Sequence, residues 1–126
     1  MYRCVLAAIA AIGLAAPAAA QVQRNFPQTA LRGSLMVDAP PSVTLNGRPA
    51  RLAPGARIRG QQNMVELSGA LIGAKMLVHY TLDNQGLVKD VWILTPDEAA
   101  KKPWPATPLE AQSWNFDPVA QTWTKP

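Results

Sequence analysis

Cysteine is almost missing from this chain: among 126 residues Cys4 is the only one, and it lies at the extreme N-terminus. Histidine is as scarce, with His79 alone. A chain whose body carries no thiol cannot form disulfides, ligate metal through thiolate or use a cysteine nucleophile. One imidazole cannot build a His-rich zinc or copper site. No cofactor is therefore expected. Charge is sparse at 16% of residues, yet uneven, with twelve bases against eight acids and a net charge of +4. Phosphate-cradling glycine patterns are missing as well. Gly60, Gly69 and Gly73 fit neither G-x-G-x-x-G nor a P-loop, and they read as turn glycines. The length suits one domain.

What is present begins with an address. Residues 1–20, MYRCVLAAIAAIGLAAPAAA, read as a secretory signal peptide. Arg3 supplies a minimal positive start, Val5 to Leu14 an apolar run, and Ala18-Ala19-Ala20 the small residues a signal peptidase accepts. Val5 to Ala20 is short for a membrane-spanning helix, which needs about 20 apolar residues. Cleavage before Gln21 is expected, and with it a periplasmic or secreted protein. Removing those 20 residues leaves 106, with eleven bases against eight acids. No later stretch reaches transmembrane length.

The remainder divides by composition. Residues 21–31 are polar and without period, and are expected to form a flexible leader. Residues 32–95 read as β, a barrel core. Residues 96–126 are expected to form short capped helices and a Trp/Pro-rich segment packed on that core. From Thr95 to the end there are six prolines and three tryptophans in 32 residues.

Within the β region the turns are legible. Asn46-Gly47 separates Ser42–Leu45 from Arg48–Leu52 and predicts a type I′ hairpin, because both central residues need positive φ. Pro49 removes a ladder donor, so its strand is expected to be an edge or irregular. Pro54-Gly55 reads as a further turn before Ala56–Arg59, and Ser68-Gly69 as another after a short strand at Met64–Leu67. Lys75–Leu82 and Leu87–Leu94 are the strongest strands, joined by Asp83-Asn84-Gln85-Gly86. Met76, Val78, Tyr80 and Leu82 share one face, and Leu77, His79 and Thr81 the other. Val88, Val91 and Ile93 make one apolar face only if a β-bulge at Lys89-Asp90 absorbs an extra residue.

The tail repeats T-P-x-E-A, at Thr95–Ala99 and Thr107–Ala111. Each reads as a helix start, with threonine at the N-cap, proline at the first helical position and glutamate completing a capping box. Pro103 and Pro105 end the first helix, and Asp117-Pro118 the second. Helices this short are not stable alone. They must dock, with Trp104, Trp114, Phe116 and Trp123 as anchors.

Candidate chemistry is thin. His79 sits mid-strand on the less buried face with no recognisable Ser or Asp partner, and reads as structural or solvent-facing. Asp83, Asp90, Asp97 and Glu98 have local tasks in turn, bulge, helix start and cap, although spacing alone leaves a glycosidase-like carboxylate pair open. The tryptophans read as buried area for a small domain, with a sugar subsite as the other option. The strongest pattern is Arg48, Arg51, Arg57 and Arg59, with no acid between Asp38 and Glu66. It is a candidate anion-binding patch, or else a solvated basic face. Nucleic acid is the least expected anion, because the aromatics cluster in the tail and do not interleave with the arginines.

The run VTLNGRPARLAPGARIRG…MVELSGALIGAKMLVHYTLDNQGLVKDVWILTPDE, about half the chain, resembles small exported beta-proteobacterial proteins of unknown function. They carry an NG…LAPGARIR…GxVxDVWILTPxE pattern. The order of elements also resembles the OB-like or SH3-like small β-barrels of periplasmic proteins. That resemblance implies a compact periplasmic barrel and brings no catalytic residues. The fold expected is mostly β, a five- or six-stranded barrel or rolled antiparallel sheet with two short C-terminal helices. The function expected is a non-catalytic periplasmic binding or accessory module, contacting an anionic envelope component or a protein through the arginine face. The alternatives are a small hydrolase or carbohydrate-active protein using His79 or an acidic pair, and an envelope-complex subunit that offers a strand edge.

Overall fold

A computed structural model of the chain describes residues 23–126. The signal peptide expected over 1–20 and the cleavage point before Gln21 lie outside the described residues. Eight strands follow in order: β1 (Leu31–Ala39), β2 (Ser42–Leu45), β3 (Arg48–Arg59), β4 (Val65–Glu66), β5 (Lys75–Leu82), β6 (Val88–Ile93), β7 (Asn115–Asp117) and β8 (Thr122–Thr124). A 3₁₀ turn at Ser68–Leu71 precedes β5, and two helices, α1 (Pro96–Ala99) and α2 (Pro108–Ser113), precede β7. None of these helices is long and apolar enough to cross a membrane.

The first six strands form one sheet in the order β2-β1-β5-β6-β3-β4, and an added β2–β3 pairing closes it. Five strands thus make a barrel, while β4 hangs from the end of β3 as a sixth. All barrel pairings are antiparallel except β3–β6, which is parallel. The interior is filled by Leu31, Leu35, Val37, Val43, Leu52, Ile58, Val78, Tyr80, Val88 and Val91. Along β1 and β5 their alternation follows the period of two. Gly33 keeps that period without a side chain for a steric reason. A Cβ there would come within 2.8 Å of the Asn46 amide and 3.1 Å of the Tyr80 ring.

The predicted turns hold where glycine or asparagine dictates them. Asn46 and Gly47 have φ of 55° and 80°, the two positive values a type I′ turn requires. Asp83 Oδ1 accepts from the backbone N–H of Gln85 and Leu87, closing the β5–β6 hairpin. The bulge in β6 is where the apolar pattern placed it: Thr81 opposes Asp90 and Leu82 opposes Val88, so Lys89 is the extra residue. Pro49 opposes Thr44 and lies before β6 joins β3 at Leu52, so its missing donor leaves no gap in a ladder.

Several expectations are corrected. Pro54-Gly55 is no turn between strands but an irregularity inside β3, because Leu52 and Arg57 both pair with β6; Gly55 absorbs it at φ 79°. Ser68-Gly69 does turn, as expected, in the form of a 3₁₀ turn that runs to Leu71. The second helix ends at Ser113, before Asp117-Pro118, since residues from Asn115 pair with β8 in a hairpin the composition did not suggest. From Arg24 on, the expected flexible leader is a packed strap in which Arg24, Phe26 and Ala30 are buried. The strap stays because it completes a second core on the outer face of β1, β5 and β6. There Phe26, Ala30 and Leu94 pack with Trp104 and Trp123, flanked by Trp92, Trp114 and Phe116.

The repeated caps form, though not identically. Thr95 and Glu98 make a complete capping box. At α2, Thr107 accepts from the Glu110 N–H, but the Glu110 carboxylate accepts from Ala106 N–H, one residue ahead of the cap.

Candidate functional site

The four arginines come to different places on the longest strand. Arg48 opposes Leu45 beside the hairpin turn, and Arg51 opposes Ser42. By strand period Arg48 shares the face of Ala50 and Leu52, whereas Arg51 is on the other side. The irregularity at Pro54-Gly55 separates both from Arg57 and Arg59, which share the outer face of β3 on either side of buried Ile58. The structure therefore joins two of the four.

Neighbouring strands set the surroundings of that pair. On the β6 side Arg57 stands beside Asp90 and Arg59 beside Trp92. Asp90 Oδ1 lies 3.7 Å from Arg59 Nη1, and the Arg59 guanidinium is 5.7 Å from the Trp92 ring centre, within reach of a cation–π contact. Arg48, Arg51 and Arg57 are exposed, and among the described residues none of the three has a carboxylate in ion-pair contact. Lys89, pushed out by the β6 bulge, adds another exposed base nearby. On the other side of β3, Val65 opposes Arg59 and Glu66 opposes Ile58. The only acid of this stretch thus belongs to the opposite face from the arginines. An open groove of about 520 Å³ runs beside β4, lined by Gly60, Gln61, Gln62, Met64, Val65, Glu66 and Ile93.

His79 lies elsewhere and in a different state from that expected. Its face of the sheet is the outer one, as its period requires, yet it has no exposed surface. Trp104 stacks on it at 4.0 Å and Phe26 meets it edge-on at 4.4 Å. Arg32 Nε donates to His79 Nε2 at 3.2 Å, which assigns the ring proton to Nδ1. That nitrogen has no partner among the described residues. Burial above all, then the charges of Arg32 and Arg24, hold the imidazole down to a pKa of about 2. A neutral ring sealed in this way is not in position to take a proton from a substrate.

Two residues the sequence did not single out organise this region. Arg24 donates to Glu98 Oε2 at 2.8 Å, to the Gly60 carbonyl at 2.8 Å and to the Ile93 carbonyl at 2.7 Å, with a further bond to Glu98 Oε1. Burial pushes the Glu98 carboxyl up, but the Arg24 and Thr95 hydrogen bonds and the Arg24 charge outweigh it and the net displacement is downward. Arg32 caps the end of α1, donating to the carbonyls of Glu98, Ala99 and Lys101. Neither role has a local signal, because every partner is more than 30 residues away in sequence. No cluster of three or more metal-ligating side chains occurs among the described residues.

Comparison with family models, with curated proteins and with solved structures finds no match to this chain.

Proposed function

We propose that this protein is an exported, non-catalytic binding module of the bacterial envelope that contacts an anionic component through the outer face of β3. The observation that carries the reading is the pair Arg57 and Arg59. Two guanidinium groups share one face, and the one carboxylate beside them reaches only Arg59. Uncompensated positive charge concentrated on one strand attracts anions. The N-terminal apolar run with its Ala18-Ala19-Ala20 end supports export. The barrel order β1-β2-β3-β6-β5-β1 with its parallel β3–β6 seam supports an OB-like affinity over an SH3-like one. Strands β1 to β3 carry no aromatic residue, which speaks against a base-stacking surface of the nucleic-acid-binding kind. A second reading, an envelope-complex subunit joined by strand addition, is favoured by β4, which among the described residues has a neighbour on one side only.

The test is retention on immobilised heparin. Wild-type protein is expected to bind and to elute as the Debye length shrinks from about 10 Å at 0.1 M salt towards 3 Å at 1 M. Arg57→Ala/Arg59→Ala is expected to lose most of that retention while melting at the wild-type temperature. Equal retention of variant and wild type rejects this face as the site.

A further inference from the structure

The arginines are not alone on their face. Val65 pairs with Arg59 across β3–β4, and Leu67, in extended backbone just past the end of β4, lies two residues on and so on the same side as Val65. Cross-strand neighbours share a face, so bases and apolar side chains alternate over the same patch. Val65 is 63% exposed and Leu67 78%. Water-facing apolar surface is costly to leave uncovered and, when grouped, marks an interaction site. Further exposed apolar residues flank β4 in the sequence, and Ile72 and Leu77 lie beside β1. Met64 precedes β4 at 67% exposure, and Ile72 at 56% and Leu77 at 43% follow the 3₁₀ turn, which buries none of its residues. Along 64–74, MVELSGALIGA, Glu66 is the only charged residue, and its register turns it away from the arginine face. Lys75 then adds an exposed base at the start of β5.

We propose that this face docks on an anionic lipid surface, with Val65, Leu67 and their apolar neighbours entering the headgroup boundary while Arg57 and Arg59 contact lipid phosphates. The proposal rests on the anion-binding reading of those arginines and names the anion. Two observations favour a bilayer over the other candidates. A soluble polyanion uses the bases but gives Val65 and Leu67 nothing to bury against. An added peptide strand covers β4, but β4 has only two paired residues, a poor template, and the exposed Met64 and Leu67 lie outside it. A lipid surface satisfies both halves of the patch, since interfacial binding combines buried apolar area with attraction to anionic headgroups.

Vesicle co-sedimentation separates these outcomes, using phosphatidylcholine vesicles with and without phosphatidylglycerol, alongside heparin retention. Wild type is expected to bind the phosphatidylglycerol vesicles, less so as salt rises, and to leave pure phosphatidylcholine vesicles in the supernatant. A base near an anionic leaflet contributes about fivefold to partitioning, so Arg57→Ala/Arg59→Ala is expected to bind about 25-fold more weakly. Val65→Ser/Leu67→Ser, at exposed positions, is expected to lose at least about tenfold in vesicle binding while keeping wild-type heparin retention and melting temperature. A single Leu67→Ser substitution is the milder variant if the pair fails to fold, and is expected to show the same split. Vesicle binding unchanged in the serine variants overturns the lipid proposal and leaves the anion-binding reading standing. Heparin retention without any vesicle binding does the same. Tight binding of an acidic, apolar extended peptide with no vesicle binding also overturns it, in favour of strand addition. A wild type that binds neither heparin nor vesicles overturns both.

Discussion

His79 illustrates how far one residue's chemistry is set by what folds over it. It is the only imidazole in the chain, so its titration dominates the pH dependence of stability between neutrality and the carboxylate range. In the unfolded chain it takes a proton near its ordinary value of 6.5, whereas in the fold it stays neutral down to about 2. Below pH 6.5 the unfolded state therefore binds more protons, and stability falls as pH falls. One pH unit of such imbalance is worth about 1.4 kcal/mol. Between pH 7 and pH 5 the wild type is expected to lose about 2 kcal/mol of unfolding free energy, measured by urea denaturation. His79→Leu keeps the apolar contacts with Trp104 and Phe26 and removes the titration, so its stability is expected to change little over that window. A wild-type profile as flat as the variant's contradicts the buried neutral state.

At the scale of elements, the strap from Arg24 to Ala30 holds the tail, and Arg24 is its fastening. One guanidinium joins the strap to α1, to the end of β6 and to the β3–β4 connection. The side chains of Arg24 and Glu98 are only 7% and 13% exposed. Removing one partner of a mostly buried pair leaves the other charge without compensation, at a cost of about 3 kcal/mol or more. Arg24→Met is expected to destabilise by that much in chemical denaturation. Adding Glu98→Gln removes the stranded charge and is expected to recover a measurable part of the loss, although the Gly60 and Ile93 carbonyls still lack their donor. Additive losses in the double variant would mean that the two residues act independently.

For the whole molecule, the consequence is a barrel with two cores, one inside and one on its outer wall. The outer core is built from both ends of the described chain: Phe26 and Ala30 from one, Trp104 and Trp123 from the other. Trp123 is 4% exposed and Trp104, whose Nε1 donates to the Ala30 carbonyl at 3.0 Å, is 7% exposed. Truncation after Pro105 removes Phe116 and Trp123, which pack on Trp104, and Gln121, which accepts from the Phe26 N–H. Loss of one buried large aromatic side chain costs about 3–5 kcal/mol. The truncated protein is expected to melt more than about 10 °C lower and to bind a hydrophobic dye. An unchanged melting temperature would make the tail a linker and not part of the core.

Local chemistry determined the parts of this fold that were legible in the sequence. Asn46-Gly47 and Asp83–Gly86 set their hairpins because only certain residues accept positive φ or close an Asx turn. The break in alternation after Val88 located the bulge, since one extra residue is the only way to restore the inward face. Thr95 and Thr107 announced their helices through caps that act within three residues. The pairing of Arg57 with Arg59 was equally readable, as a spacing of two along a strand. What lay beyond the sequence was decided by contacts between distant segments. Closure of the barrel depends on β3 meeting both β2 and β6, and nothing local to Pro54-Gly55 distinguishes a turn from a kink within one long strand. His79 is buried only because Phe26 and Trp104 arrive from opposite ends of the chain. Val65 comes beside Arg59 through strand register, which packing sets across distant segments, and Asp90, although its register partner is Arg57, turns its carboxylate to Arg59.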